Sequence, residues 1–307
     1  MDDVTGFTAA DVPGQAGKCF LVTGANTGLG FETTRVLAAR GARVLLACRS
    51  EERARDAMER IRMELPGANL AFVPLDQADL FSVRECAEQV ARDEPRLDVL
   101  INNAGVMVPP LERTVQGHEL QFGVNHLAPF ALTGLLLPKL SDTPGARVVI
   151  TASLAHMRGR MDWDDLDAHR SYKARQRYGD SKLANLLHLL ELDRRLRAAG
   201  SPVRAMACHP GIAETELGRH SLGFRLLFPV AGIVLNTAQE GAWPTLQAAT
   251  DPDAGAGQYF GPRRFGGMSG PSGVAKRNAS ARDGAAARRL WEVSVQMTGI
   301  DCGLAGF

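Results

Sequence analysis

Cys19-Phe20-Leu21-Val22-Thr23-Gly24-Ala25-Asn26-Thr27-Gly28-Leu29-Gly30 is an apolar run of strand length that enters a glycine-rich turn, and residues 31–40 continue it as a helix. Glycine reaches backbone angles closed to other residues and lets a ligand come close to the main chain. The helix N-terminus that follows offers unpaired N–H groups and the positive end of a dipole, which together suit a pyrophosphate. The spacing is Thr-Gly-x-x-x-Gly-x-Gly, not the Gly-x-Gly-x-x-Gly of other dinucleotide folds. Taken alone, the turn also fits a tight strand–helix connection that holds no ligand.

Outward from this turn, the chain alternates strand and helix. Strands are expected at residues 43–47, 70–74, 99–102, 146–151, 203–207 and 258–260. Helices are expected from the Ser50 cap to residue 63, closed by Pro66-Gly67, and at 80–91, 115–140 with a break near Pro129, 175–199, 238–250 and 285–297. Such alternation implies a parallel sheet covered on both faces. No repeat or linker divides the chain, so the expectation is an α/β fold: one doubly wound Rossmann-type domain over residues 1–307, with about seven parallel strands. Residues 1–17 read as a polar arm on its surface. Residues 212–235 break the rhythm. They carry Leu222, Phe224, Leu226, Phe228 and Ile233 between a strand and a helix, and are expected to form a substrate lid at the carboxyl edge of the sheet. Two alternatives stand beside it: an excursion packed on the domain or on a second subunit, and a membrane-surface contact with Arg219 and Arg225 as its basic residues.

Composition narrows the function classes. A net charge of +1 over 307 residues gives no reason to expect a nucleic-acid or acidic-membrane partner. The five cysteines are an odd set without Cys-x-x-Cys spacing; Cys19, Cys48 and Cys208 lie in expected strands and read as small buried hydrophobes, and the histidines lack metal-ligand spacing. The Met-Asp-Asp start, without a basic region followed by an apolar run, gives no expectation of a secretory signal, and no run approaches the ~18 apolar residues of a membrane span. The expected setting is the reducing cytoplasm, with no integral membrane segment and no bound metal.

Tyr178 and Lys182 lie four apart in a helical segment and share one face. An ammonium near a phenol favours the phenolate and lowers a pKa that is ~10 unperturbed, which would make Tyr178 an acid or base near neutrality. Ser153 directly follows the fifth strand, at the edge where open α/β folds bind ligands. His156, close by, suggests a hydrolase triad, but Ser153 lacks the Gly-x-Ser-x-Gly elbow.

Thr23-Gly24-Ala25-Asn26-Thr27-Gly28-Leu29-Gly30, Asn102-Asn103-Ala104-Gly105, Ser153, Tyr178-Gly179-Asp180-Ser181-Lys182 and His209-Pro210-Gly211 occur in an order and at intervals that resemble the short-chain dehydrogenase/reductase family. Ala47-Cys48-Arg49 and Ser181-Lys182-Leu183-Ala184-Asn185 look most like its retinol dehydrogenase and WW-domain oxidoreductase branch. The resemblance implies that Tyr178 exchanges a proton with the substrate oxygen while hydride moves to or from a nicotinamide. Ser153 would hold that oxygen, Lys182 would hold the nicotinamide ribose and depress Tyr178, and Asn125 would organise a proton-relay water. Asn125 also reads as a buried amide that satisfies helix backbone. On the cofactor side, the glycine turn with Gly24, Thr27, Gly28, Leu29 and Gly30 would cradle the pyrophosphate, and Asn26 would add a hydrogen bond on the side of the ribose 2′-position. Asp76 and Gln77 would meet the adenine, and Asn103, Ala104 and Gly105 would line the adenosine. Pro210, Gly211, Ile212 and Thr215 would border the nicotinamide.

At the end of the second strand, Arg49 stands where an acidic residue would accept the ribose 2′-hydroxyl of NAD, and no carboxylate follows until Glu51. A guanidinium can instead pair with a 2′-phosphate, so NADP(H) is the expected cofactor, with NAD(H) as the lesser one. Together these residues predict an oxidoreductase that interconverts an alcohol and a carbonyl on a small, mainly apolar substrate, in a chain able to form a homo-oligomer. The other readings are an extended-type epimerase or dehydratase and an NADP(H)-sensing regulator without turnover. The glycine spacing argues against the first, and the presence of Ser153, Tyr178 and Lys182 together argues against the second.

Overall fold

The computed structural model describes residues 5–212 and 236–304. Its sheet is built from β1 (Cys19–Thr23), β2 (Arg43–Cys48), β3 (Leu70–Pro74), β4 (Val99–Asn102), β5 (Arg147–Thr151), β6 (Arg204–Cys208), β7 (Tyr259–Arg264) and β8 (Ser269–Val274). The helices are α1 (Gly28–Ala39), α2 (Glu51–Glu64), α3 (Leu80–Asp93), α4 (Leu120–Ser141), α5 (Ala174–Ala198), α6 (Ala238–Thr250) and α7 (Gly284–Thr298). Strand order is β3-β2-β1-β4-β5-β6-β7-β8. The order reverses between β1 and β4, and that switch point opens a crevice at the carboxyl edge of the sheet.

Alternation along each buried strand separates two cores. Leu21, Leu45, Leu100 and Val148 face α3, α4, α5 and α7, where Val83, Phe130, Leu187 and Trp291 pack. Phe20, Val44, Leu46 and Val149 face α1, α2 and α6, where Phe31, Leu37, Ile61 and Leu246 pack. Side-chain caps fix several helix starts: Ser50 accepts from Arg53 N–H, Asp79 from Phe81 N–H, and Thr237 forms a capping box with Glu240. Thr27, at the start of α1, makes no side-chain cap.

Three elements differ from the sequence reading. α1 starts at Gly28, inside the glycine turn, directly after the extended Thr27, and Gly28 itself takes a positive φ of 53 that favours glycine. The helix expected at 115–140 starts at Leu120, where the buried Glu119 carboxylate accepts from Gln121 and Phe122 N–H. It passes through a π turn over Gly123–Leu127 before Pro129. Finally, eight strands form where about seven were expected. Ser269-Gly270-Pro271-Ser272-Gly273-Val274, to which the sequence reading assigned no element, returns antiparallel to β7 as the edge strand, where a proline is tolerated. Phe7 of the N-terminal arm bridges to Ser272 on its outer side, in both directions at 2.9 Å, and covers that edge.

Among the described residues, Leu120–Ser141 is the one helix long and apolar enough to cross a membrane, and its apolar stretch is 89 % buried within the protein. That burial makes α4 a core helix. The lid expected at 212–235 lies, apart from Ile212, outside the described residues.

Candidate active site

β1 delivers the glycine turn to the switch point. A Cβ on Gly30 would collide with the carbonyl oxygen of Gly24, so only glycine lets α1 begin this close under the turn. The turn rests on β4: Asn103 Nδ2 donates to the Thr23 carbonyl at 2.8 Å, and the N–H groups of Asn103 and Ala104 both donate to Thr23 Oγ1 at 3.0 and 2.9 Å. Gly28 and Leu29 open α1, Thr27 is exposed, and Asn26 is half-buried. A close-packed turn feeding a helix whose first residues lack a side-chain cap is a cradle for an anion.

Arg49 is exposed at the end of β2 and forms no hydrogen bond or ion pair among the described residues. Its guanidinium is therefore uncommitted, beside the cradle. Asp76, half-buried after β3, is pinned by Ser82 Oγ to its N–H and accepts from Ala78 N–H through Oδ1 at 2.9 Å. Gln77 is engaged elsewhere: its Nε2 donates to the Val124 carbonyl of the π turn at 2.8 Å.

The reacting side chains gather across β5 and α5. Gly159 and Gly179 pack backbone on backbone, with no room for a Cβ on Gly159, and this holds the turn after β5 against α5. Ser153 and Tyr178 meet there. Tyr178 keeps some surface in solvent, yet burial of its phenol raises its pKa, and a hydrogen bond with the Ser153 side chain works against that rise. Lys182 does not supply the lowering expected from helical spacing. Its Nζ stands 5.7 Å from the centre of the Tyr178 ring and donates to the Thr151 carbonyl at 3.0 Å. Burial pushes the Lys182 ammonium down to about 8.

Asn125, 1 % exposed, sits in the π turn. Its amide accepts from Val106 N–H at 2.8 Å and donates to the Val106 carbonyl at 2.9 Å, so it satisfies the loop after β4 rather than helix backbone. Nδ2 also donates to Ser181 Oγ at 3.0 Å, and Ser181 donates on to the Tyr178 carbonyl at 2.9 Å. A Cβ on Gly105 would stand 2.9 Å from Asn125 Oδ1 and 3.5 Å from Lys182 Nζ, so these three residues adjoin.

After β6, Gly211 has φ +75 and would clash with the Met268 carbonyl if it carried a Cβ. Ile212 N–H donates to that carbonyl at 2.9 Å. Asn236 then closes the gap: its N–H donates to the Ile212 carbonyl at 2.9 Å and its Nδ2 to the Pro210 carbonyl at 3.0 Å. Ile212 and Asn236 are thus held together beside Pro210. Thr215 lies outside the described residues.

Sequence reasoning did not single out Thr151, whose carbonyl takes both Lys182 and Asn185, nor Ser181 and Asn236. Asn185 and Ser181 stand in a quoted motif, whereas Asn236 carries no local signal because its partners are distant in the chain. Among the described residues, no group of three or more His, Cys, Asp or Glu could hold a metal.

This geometry coincides with several likenesses. The family model for short chain dehydrogenases matches residues 18–222. Retinol dehydrogenase 12 of Mus musculus is 40 % identical over 286 residues, which cover 92 % of this chain and 87 % of that protein. The crystal structure of an uncharacterised protein from Mycobacterium paratuberculosis is 41 % identical with a TM-score of 0.82, covering 98 % of this chain and 100 % of that one. A Shigella flexneri 2a str. 301 protein, described as a short chain dehydrogenase complexed with NADP, is 25 % identical with a TM-score of 0.64, covering 81 % of this chain and 98 % of that one. The glycine turn, the edge serine and the Tyr178–Lys182 helix therefore belong to a member of the short-chain dehydrogenase/reductase family, in its retinol dehydrogenase-like branch, an oxidoreductase acting on CH–OH and C=O groups.

Proposed function

We propose that this enzyme uses NADP(H) to interconvert an alcohol and a carbonyl on a mainly apolar substrate, with Tyr178 as general acid and base. One observation carries the reading: the Tyr178 phenol and the Ser153 hydroxyl meet at the carboxyl edge of the sheet, on the crevice that begins at the glycine turn. The cofactor supplies or accepts the hydride. Ser153 holds the substrate oxygen, and Tyr178 gives that oxygen a proton or takes one away. Burial keeps the phenol protonated in the free protein, which suits the donor role in carbonyl reduction.

Thr27, Gly28, Leu29 and Gly30 would take the pyrophosphate, and Arg49 the 2′-phosphate. The NADP-complexed relative is consistent with this choice of cofactor. An apolar substrate is supported by the retinol dehydrogenases among the relatives and by exposed apolar side chains on the loops at this edge, Met107 and Val108 after β4 and Met157 after β5. A cytoplasmic setting belongs to the proposal, because all five cysteines are free and buried. Recovery of the protein in a washed membrane fraction would refute that setting.

Tyr178→Phe tests the mechanism. It should lower kcat roughly 10²–10⁴-fold, the usual contribution of a general acid, while NADPH affinity stays near native. Near-native turnover on a panel of ketones and aldehydes would reject Tyr178 as the proton donor.

A further inference from the structure

Ser153 lies two residues beyond β5 in extended backbone and opens a 3₁₀ turn over Leu154–Arg158. Its Oγ accepts from Ala155 N–H at 3.1 Å, so one lone pair is occupied and the hydroxyl proton is left to face the Tyr178 side. The pitch of this short turn decides where Oγ stands. His156, fully buried, controls it: Nδ1 lies 2.6 Å from the Ser153 carbonyl oxygen, and His156 N–H reaches the same oxygen at 3.1 Å. A carbonyl can only accept, so Nδ1 carries the proton and Nε2 is bare.

The rest of the ring's surroundings are costly for an imidazole. Nε2 has no hydrogen-bond partner among the described residues, nor has the hydroxyl of Tyr259, whose ring stands edge-on at 5.7 Å. Burying polar atoms without partners is unfavourable, and an apolar side chain would fill this place without that cost. The imidazole's one satisfied polar atom is the one on Ser153. Asn278 Nδ2 reaches the His156 carbonyl at 3.2 Å and anchors the turn from the far side.

We propose that His156 is a positioning residue for Ser153: its Nδ1–H grips the Ser153 carbonyl and sets the turn that aims Oγ at the substrate oxygen. It is not a hydrolase base, since its bare nitrogen, Nε2, has no hydrogen-bond partner among the described residues and so does not meet the Ser153 hydroxyl. The inference rests on the reading of Ser153 as the residue that holds the substrate oxygen.

Two variants separate positioning from packing. His156→Leu fills much of the space without a donor, whereas His156→Asn is smaller but places an amide N–H near the position of Nδ1. Asn should therefore melt lower than Leu yet turn over faster. Leu should lose roughly 10–100-fold in kcat, in the range that small misplacements of a reacting group cost, with NADPH affinity unchanged. In a Ser153→Ala background, His156→Leu should cost less than about twofold further, because coupled residues are not additive. An undiminished loss in that background, or Asn no faster than Leu, overturns the inference. If Ser153→Ala alone keeps the native rate, the reading of Ser153 fails first and the inference falls with it.

Discussion

Lys182 carries a charge that the fold disfavours. It is 4 % exposed, donates to the Thr151 carbonyl, and its pKa is pushed from 10.5 to about 8 by burial. An unfolded lysine binds its proton up to the higher value, so the unfolded state holds more protons between the two values. Stability therefore rises as pH goes from about 8 towards 10.5, and the full penalty is present below pH 8. A tenfold loss of proton affinity is worth about 1.4 kcal/mol, which bounds the penalty at roughly 3 kcal/mol. Lys182→Met should thus raise stability at pH 7, lose that advantage towards pH 10, and abolish most turnover. Urea unfolding at both pH values measures it; a variant less stable than the parent at pH 7 would contradict the argument. Arg49 gives a second test at this scale. Arg49→Ala should raise KM for NADPH severalfold, leave KM for NADH nearly constant, and lose its effect as salt rises. An equal response of the two cofactors removes Arg49 as selector. Tyr178, Lys182 and Ser153 were legible as candidates from helical spacing, from the position after the fifth strand and from the family resemblance taken together. The partner of Lys182 was not, because a backbone carbonyl on β5 leaves no mark in the sequence.

Among the elements, the glycine turn gives the sharpest steric case. Gly30→Ala adds a methyl against the Gly24 carbonyl and 2.7 Å from Asn103 Nδ2, so α1 must shift away from the turn. Overpacking of this kind costs about 1–3 kcal/mol, more than the ~1 kcal/mol that alanine gains over glycine in a helix. Gly67→Ala, on open ground with nothing within 4 Å, is the control. The first should lower the melting temperature and weaken NADPH binding at least tenfold, about 1.4 kcal/mol, and the second should do neither. Unchanged cofactor affinity in Gly30→Ala would mean that the turn does not hold the phosphates. Strands β1 to β6 could be read from apolar runs because both faces are covered. β7 is legible only at its start, residues 258–260, and β8 not at all, since it has glycine, proline and serine on an edge where main-chain pairing with β7 and Phe7 does the holding. The π turn was hidden for a similar reason. It is set by Gln77 on the Val124 carbonyl and Asn125 on the loop after β4, both contacts distant in sequence.

Over the whole molecule, the C-terminal helix closes the α4–α5 side of the sheet. Trp291 stands 5.0 Å from Phe130, edge to face, and beneath Arg195 at 4.6 Å, while His126 Nε2 pairs with Ser294 Oγ at 2.8 Å. Ser294 Oγ donates to the Leu290 carbonyl, so His126 Nε2 carries the proton on the ring and supplies the bond. Burial also holds His126 and His188 in the neutral form, well below the ordinary histidine range. Beyond the helix, Ile300 and Cys302 fold back on Gly134 of α4, and Arg195 Nη1 holds the Leu304 carbonyl at 3.0 Å. Among the described residues, α7 and the segment up to Leu304 thus cover this side of α4 and α5. Trp291→Ala should therefore destabilise the protein by about 3–5 kcal/mol, the usual cost of deleting a buried tryptophan. It should also expose an apolar face and promote self-association, while kcat measured well below the melting temperature stays close to native, because among the described residues no hydrogen bond or ring contact links α7 to Ser153, Tyr178 or Lys182. Urea unfolding and sedimentation at rising protein concentration check both halves. A loss under about 1 kcal/mol with no change in sedimentation would mean that α7 does not seal this side of the core.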